Sequence, residues 1–147
     1  MKTCKNLYPR ICDFDNLYQA YRKARRGKRR RAQVYRFEFD LEGNLLRLQE
    51  ELAAETYTPG EYTHFFVTVP KRRKISAAPF RDRVVHHVLH RVVEPLFERR
   101  FVYDSYAYRP GKGTHRALDR AQEFARRHRY VLQCDLEKLF QGSTPGP

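Results

Sequence analysis

The chain reads PKRRKISAAP at residues 70–79, SYAYRPGKGTH at residues 105–115 and CDLEKLF at residues 134–140, and these three stretches carry its most specific pattern. The first holds four consecutive cations, and the second is a basic loop with two glycines. In the third, Asp135 follows closely on the apolar run 130–132, so a carboxylate is expected at the end of a short buried strand. We therefore predict a basic hairpin, a glycine-containing loop and a strand that ends in an acid, in that order.

The residues around the four cations have the composition of a β-hairpin. A run rich in aromatic and β-branched residues, 64–69, precedes them, and a short return strand follows. Because side chains alternate along a strand, Lys71 and Arg73 are expected on one side, and Arg72 and Lys74 on the other. Cations on a rigid hairpin lose less entropy on binding phosphate than cations on a flexible tail. The alternative is a solvated basic turn that contacts any nearby phosphate backbone.

Apolar residues at helical spacing predict two helices before the hairpin and two after it. Asp13 and Asp40 are expected to cap the first two helices. Pro79 is expected in the first turn of the third, and Thr114 at the cap of the fourth. The aromatic stretch 34–39 is either a strand or a lead-in to the second helix. This order of elements predicts an α+β protein.

The chain is strongly basic. Among its 147 residues, 30 Lys and Arg stand against 17 Asp and Glu, which gives a formal net charge of +13. Such a charge favours a polyanionic partner, because cations that neutralise phosphates release condensed counterions. Nucleic acid is the leading candidate. An anionic membrane surface is the weaker one, because no lipidation motif or amphipathic anchor accompanies the charge.

Neither a membrane protein nor a secreted protein is indicated. No apolar run approaches the roughly 20 residues that a membrane helix needs. Residues 1–6 have no apolar stretch of the signal-peptide kind. Cys4, Cys12 and Cys134 are odd in number and widely spaced, which argues against a disulfide framework or a zinc ribbon. We expect a cytoplasmic protein without a membrane partner.

A second basic stretch lies near the N-terminus. Eight of the ten residues from 22 to 31 are Lys or Arg, and several tyrosines lie close by. Such a segment can bind single-stranded nucleic acid through charge and base stacking. It can equally be a solvated, disordered loop. The candidate contacts in this run are Arg25, Arg26, Arg29 and Arg30.

Two other kinds of site are disfavoured. His86 and His90 share a helical face that a metal can use, but no acid of the His-Glu-x-x-His kind lies between them and no third ligand is evident. The loop 111–114 lacks the Walker spacing of a nucleotide-binding loop. Asp82 and Arg83, on the same helix as the histidines, are expected to form a local ion pair or to orient the hairpin.

In their order and spacing, the three stretches resemble the N-terminal half of a bacterial reverse transcriptase domain of the group II intron, retron or diversity-generating retroelement type. The resemblance spans residues 5–140 and is strongest from residue 65 onward. It implies helix-rich fingers with a β-hairpin, followed by the first strand of a truncated polymerase palm. The implied divisions are a basic helical segment at 1–40, a fingers-like region at 41–128 with its hairpin at 65–78, the first palm strand at 129–140 and an unstructured tail at 141–147.

The resemblance also implies roles for individual residues. Lys71 and Arg73 match the hairpin cations that hold the incoming nucleotide, and Arg109 lies in the block beside nucleotide or template. Asp135 matches the first catalytic carboxylate, which binds Mg²⁺. Phe140 matches the aromatic residue that excludes a ribose 2′-OH. The other candidate contacts to nucleic acid are Arg25, Arg26, Arg29, Arg30, Arg72, Lys74 and Lys112.

A complete enzyme of this kind extends a DNA strand on an RNA template with deoxynucleotides and Mg²⁺, so its partners are the RNA template and the RNA/DNA duplex. Two-metal phosphoryl transfer needs several carboxylates, and after Asp135 this sequence has only Glu137 and no Tyr-x-Asp-Asp motif. We therefore expect a truncated polymerase that is inactive alone and self-associates through its open sheet edge. The alternatives are a non-catalytic RNA-binding basic module and an unrelated basic interaction module.

Overall fold

The computed structural model describes residues 4–136. Phe140, the tail at 141–147 and the end of the predicted strand at 129–140 lie outside the described residues. The elements in chain order are α1 (Tyr8–Ile11), α2 (Phe14–Arg25), α3 (Ala32–Phe39), α4 (Leu41–Ala53), β1 (Thr63–Val67), β2 (Arg73–Ala77), α5 (Phe80–Glu98) and α6 (Thr114–Arg127).

The predicted α+β class is confirmed. Helices dominate the described residues, and the two strands form one antiparallel sheet, as expected of a fingers region. The chain divides into two compact units, one up to Arg100 and one from Phe101 onward. In the part of the chain that the structure describes, no helix has both the length and the apolarity needed to cross a bilayer.

The first unit is built around α2 and α5, which pack against each other. Helix α4 packs on α2, α3 packs on α4 and α5, and α1 packs on α2 and α5. The hairpin lies outside this helical core. The buried core residues are Ile11, Leu17, Ala20, Tyr21, Ala24, Val34, Phe37, Leu45, Leu48, Leu52, Phe80, Val84, Val85, Val88 and Val92.

Helix α2 begins and buries its face as the sequence predicts. The Asp13 side chain accepts a hydrogen bond from the Asn16 amide at 3.1 Å, which confirms Asp13 as the N-cap. Helical spacing then places Leu17, Tyr21 and Ala24 on the buried side. These residues pack against the apolar face of α5 and so hold the two helices together.

The stretch around Asp40 differs from the simplest prediction. Residues 34–39 belong to the helix α3, so the strand alternative is wrong. Asp40 lies at the N-cap position of α4, but its side chain makes no capping hydrogen bond and pairs with Arg47 at 3.0 Å. The carboxylate lies against Gly43, where a Cβ would be 2.5 Å from its oxygen. Glycine at this position therefore leaves room for the Asp40 side chain.

The hairpin forms where it is predicted, with a shifted tip. Its register pairs Thr63 with Ala77 at the base and Val67 with Arg73 at the end. The tip is therefore 68–72, and Arg73 already belongs to β2. The strand residues are exposed apart from the half-buried Ala77, so packing against the helices contributes little to holding the hairpin.

The second unit contains α6 and the loop before it. Gly113, with φ 120°, is the N-cap, so glycine takes the place predicted for Thr114, which is the first residue of the helix. No residue of α6 is buried. Residues 130–136 have no regular secondary structure, and Val131 and Leu132 are 83% and 87% exposed.

The predicted buried strand before Asp135 is therefore not formed in the described residues. A strand exists through hydrogen bonds to a neighbouring strand. Within residues 4–136 the one sheet is the hairpin, and its two strands pair with each other.

Candidate nucleic-acid interface

A buried carboxylate on α5 fixes the base of the hairpin. Asp82 is 1% exposed, and its oxygens accept hydrogen bonds from the Tyr57 hydroxyl and the Gly60 amide, both at 2.8 Å. Burial, and then the hydrogen bond to Asp82, raise the pKa of the Tyr57 hydroxyl, so this donor keeps its proton. The segment that enters β1 is thereby held against the helix that follows β2.

Arg81 makes a second connection at the hairpin base. Its guanidinium forms an ion pair with Glu51 on α4 and lies over the Tyr57 ring. Arg83 donates to the Gln33 side chain at 2.9 Å on α3. The local ion pair predicted between Asp82 and Arg83 is thus not formed, and the contacts of Asp82 agree with the other predicted role, that of orienting the hairpin.

The four cations at the hairpin end are exposed, and no carboxylate in the described residues pairs with them. The Arg72 guanidinium lies over the Phe66 ring, 4.5 Å from its centroid. Phe66 pairs with Lys74, so Arg72 and Lys74 share a face, as the alternation predicts. Arg73 pairs with Val67 on the opposite face. The hairpin thus presents cations on both faces.

The basic run 22–31 is folded. Its first part continues α2 to Arg25, and a turn then leads into α3. Backbone hydrogen bonds hold this turn, from the Lys28 amide to the Arg25 carbonyl at 2.9 Å and from the Arg31 amide to the Lys28 carbonyl at 3.0 Å. The disordered-loop alternative is therefore wrong for this segment.

Arg25 differs from the other predicted contacts in the run. It forms an ion pair with Glu38 on α3 at 3.1 Å and donates to the Tyr21 hydroxyl, which in turn donates to Glu38. The hydrogen bond to Tyr21 raises the pKa of Arg25. Arg26, Arg29 and Arg30 are exposed, and no carboxylate in the described residues pairs with them.

An open cleft of about 940 Å³ is lined by the end of α2, the turn after it and Arg91 of α5. We call it the basic cleft. Within the described residues every charged side chain that lines it is a cation. Its charged and aromatic lining residues are Tyr18, Arg22, Lys23, Arg25, Arg26, Arg29 and Arg91.

Arg91 enters the basic cleft from α5 and is held in place by a residue of α2. Its Nε donates to the Asn16 side-chain oxygen at 2.9 Å. The Asn16 side-chain nitrogen donates to the Arg10 carbonyl at 3.0 Å and lies 3.4 Å from the Val88 carbonyl. Asn16, 9% exposed, therefore connects α1, α2 and α5 and positions the cation on the far wall.

In the second unit, two predicted contact residues hold their own loop. Arg109 donates to the carbonyls of Val102 at 2.8 Å and Ser105 at 3.0 Å. Lys112 donates to the Tyr103 carbonyl at 2.6 Å, and its ammonium lies 3.8 Å from the centroid of that ring. Two cations of the loop between α5 and α6 thus hold its conformation by donating to its own backbone carbonyls.

The loop is also tied to α6. Arg120 donates to Asp104 at 2.9 Å and to Glu123 at 2.7 Å. The hydrogen bond from Arg120 holds the pKa of Asp104 below its usual value, so the carboxylate stays charged. The Tyr106 hydroxyl donates to the same carboxylate at 3.1 Å.

No third ligand lies with the histidines of α5 in the described residues. His86 and His90 are exposed, and His90 lies 3.0 Å from Glu94 in an ion pair when it is protonated. His87 is half-buried; burial, and then the nearby charges of Lys23 and Lys28, lower its pKa.

Asp135 is exposed, and in residues 4–136 no group of three or more His, Cys, Asp or Glu side chains is placed to hold a metal ion. Two-metal chemistry uses several bridging carboxylates. Asp135 is the one described residue that the resemblance assigns to Mg²⁺, and one carboxylate cannot bridge two ions, so the pair of Mg²⁺ ions stays a prediction.

Two residues that shape the basic cleft are not evident from the sequence. Asn16 and Arg91 are 75 residues apart, and nothing in their local patterns predicts that they meet. The signal that was available is a polar residue, Asn16, on the otherwise apolar face of α2, since buried polar groups need partners.

No protein-family profile matches this chain. Two proteins of Arabidopsis thaliana are similar to it. Nuclear intron maturase 2, mitochondrial, is 29% identical over 119 residues, which is 70% of this chain and 16% of that protein. Nuclear intron maturase 1, mitochondrial, is 49% identical over 39 residues, which is 26% of this chain and 6% of that protein. The chain thus spans about one sixth of the length of the first relative. This homology supports a reverse-transcriptase-like origin, without supporting the bacterial type in particular.

Proposed function

We propose that this chain is an RNA-binding part of a reverse-transcriptase-derived protein that handles intron RNA. The likeness to two intron maturases supports this partner, and the net charge of +13 supports a polyanion in general. The observation that carries the proposal is the exposed group of four cations at the end of a hairpin whose base is fixed by Asp82.

The hairpin suits phosphate binding because no carboxylate in the described residues pairs with its cations and because hydrogen bonds to Asp82 hold its base. Unpaired cations keep their full charge for a phosphate, with no carboxylate to displace. A fixed base lowers the conformational entropy that is lost on binding. The same charges in a mobile tail would give weaker and less localised contacts.

The test is binding of a single-stranded RNA at several salt concentrations. We expect the double variant Lys71→Ala, Arg73→Ala to bind more weakly, with a salt slope smaller in magnitude by about 1.4, since each phosphate contact contributes about 0.7 for single strands. The matched control is Arg126→Ala, Arg127→Ala, which removes two exposed cations of α6. Equal effects in both variants, or no RNA binding by the parent chain, would overturn the proposal.

Deoxynucleotide binding and RNA-directed DNA synthesis form the second candidate function. It is favoured by Lys71 and Arg73, which have no carboxylate partner in the described residues. By the sequence resemblance, these two residues match the cations that hold the triphosphate in the polymerases. In this candidate Arg109, Phe140 and Asp135 keep the roles that the resemblance implies for them, toward the nucleotide, the ribose 2′-OH and Mg²⁺ respectively.

Titration with a deoxynucleoside triphosphate in the absence of RNA tests this candidate. Binding should be lost in Lys71→Ala, Arg73→Ala and retained in Arg126→Ala, Arg127→Ala. Primer extension with Mg²⁺ that disappears in Asp135→Asn while RNA binding persists would support synthesis. If the chain binds RNA but neither binds the deoxynucleotide nor extends a primer, the RNA-binding function stands without catalysis.

A further inference from the structure

The geometry of the basic cleft points to a second, separate site: we propose that it binds a short single-stranded segment of RNA through its phosphates and one stacked base. The inference rests on the proposed function and adds a contact surface that is distinct from the hairpin. It concerns the side chains that line the cleft, and chiefly Tyr18, Arg22, Lys23, Arg26, Arg29 and Arg91.

Most of the positive charge of the cleft has no carboxylate partner in the described residues. Glu38 neutralises Arg25 at its edge, but no carboxylate in the described residues pairs with Arg22, Arg26 or Arg29. Cations held close together repel one another, and a polyanion removes this repulsion when it binds. The folded turn after α2 keeps these charges together, so the site exists before RNA arrives.

The far wall of the cleft is pre-organised. Arg91 is fixed by its hydrogen bond to Asn16, and Asn16 is itself anchored to the Arg10 carbonyl. A backbone that enters the cleft therefore meets cations from two helices, α2 on one side and α5 on the other. Contacts from two sides define a path for the strand, which a single basic helix face does not.

Single-stranded RNA suits the cleft better than a duplex. Tyr18 lies on the wall with 40% of its surface exposed, and its ring centroid is 6.1 Å from that of Tyr21. An exposed ring stacks on an unpaired base, whereas the bases of a duplex are already stacked on each other. The volume of about 940 Å³ lies at the upper end of the roughly 300–1,000 Å³ of small-molecule sites, so more than one nucleotide can enter.

The decisive experiment measures binding of an unstructured oligouridylate of about 12 nucleotides, a length within the usual site size for single strands. In Arg26→Ala, Arg29→Ala we expect the salt slope to fall in magnitude by about 1.4 and the Kd at 0.1 M salt to rise roughly 10- to 30-fold. Arg126→Ala, Arg127→Ala removes the same charge elsewhere and should leave the Kd within about two-fold. Both pairs are exposed, so an unchanged melting temperature shows that the fold is intact.

A second variant pair tests the stacked base. Tyr18→Leu should raise the Kd by about five-fold or more, while Tyr18→Phe, which keeps the ring, should leave it nearly unchanged. The parent chain should also prefer the oligouridylate to a blunt RNA duplex of similar length. Equal affinity for both RNAs would overturn the single-strand assignment.

The outcomes separate this inference from the proposed function. If the parent chain binds RNA and the Arg26, Arg29 variant binds with the same Kd and slope, the cleft proposal fails while the hairpin proposal stands. If the parent chain does not bind RNA at all, the proposed function fails as well.

Discussion

Arg25 and Arg26 are adjacent arginines in one basic run, and the structure gives them different surroundings. Arg25 is paired with Glu38 and bonded to Tyr21, while Arg26 is exposed on the turn that follows. The sequence predicts both as contacts to nucleic acid. It cannot separate them, because the partner of Arg25 lies on the next helix, and only the packing of α2 against α3 brings the two together.

The first prediction at the residue scale concerns the contribution of Asp82 to stability. Replacing it with Ala leaves the Tyr57 hydroxyl and the Gly60 amide without their acceptor, so we expect the free energy of unfolding to fall by roughly 2–4 kcal/mol. Asp82→Asn keeps one acceptor oxygen and should lose about half of that. Urea denaturation measures both variants. Equal loss in the two would show that the hydrogen bonds do not account for the stabilisation.

The second prediction at the residue scale concerns the titration of His87. Its pKa in the folded chain is lowered from the ordinary value of 6.5, so the unfolded chain takes up the proton first as the pH falls. The stabilisation is therefore complete above pH 6.5 and is lost as the pH falls through the lowered pKa.

Thermal melts between pH 7.5 and 5 should show this loss in the parent chain. The loss should be smaller in His87→Gln than in the control His86→Gln, which changes an exposed neighbour. Parallel pH profiles for the two variants would contradict the assignment to His87.

At the scale of elements, helix α4 offers a matched pair of leucines. Leu48 is fully buried against the core, and Leu46 is 42% exposed on the same helix. Leu48→Ala removes buried methyl groups and leaves a cavity, so we expect a loss of about 2–5 kcal/mol. Leu46→Ala should cost less than about 1 kcal/mol, as surface changes usually do. Similar losses in chemical denaturation would mean that α4 is not packed as described.

The elements also show what a sequence can predict. Helices α2, α4, α5 and α6 and the hairpin were predictable because a periodic apolar face or a run of strand-forming residues is a local pattern, whereas α1 was not predicted and the stretch of α3 was left open. The strand before Asp135 was not predictable, since a strand needs a partner and the apolar run 130–132 does not reveal whether one is present. The basic cleft was only half predictable, because the run 22–31 is visible in the sequence but Arg91 joins it through tertiary structure.

At the scale of the whole molecule, all of the buried hydrophobic cluster belongs to the first unit, between Ile11 and Val92. A chain that ends at Arg100 should therefore keep a cooperative thermal transition, because it loses none of the core residues found in the described part of the chain. Circular dichroism melts of both lengths measure this. A broad, non-cooperative melt of the shorter chain would show that the second unit contributes to the core.

Self-association through the open sheet edge stays a prediction, and exposed apolar side chains of α6 offer a second surface for it in the second unit. Leu118 is 56% exposed and Phe124 38% exposed on the apolar stripe of α6. Exposed apolar stripes favour association between copies. Sedimentation at several concentrations should show less association in Leu118→Gln than in the polar control Gln122→Ala. A monomer at every concentration would refute it.

The hydrogen bonds of Asp82 at the base of the hairpin influence where its cationic tip lies. Each strand has five residues, so at about 3.3 Å per residue the cationic tip lies roughly 17 Å from the base of the hairpin. A tilt of about 10° at the base then moves the tip by about 3 Å, close to the ~3.4 Å rise per nucleotide along the axis of a duplex. A small displacement at the base is thus enlarged at the tip, so under the proposed function a substitution near Asp82 should shift the cations relative to the phosphates that they bind.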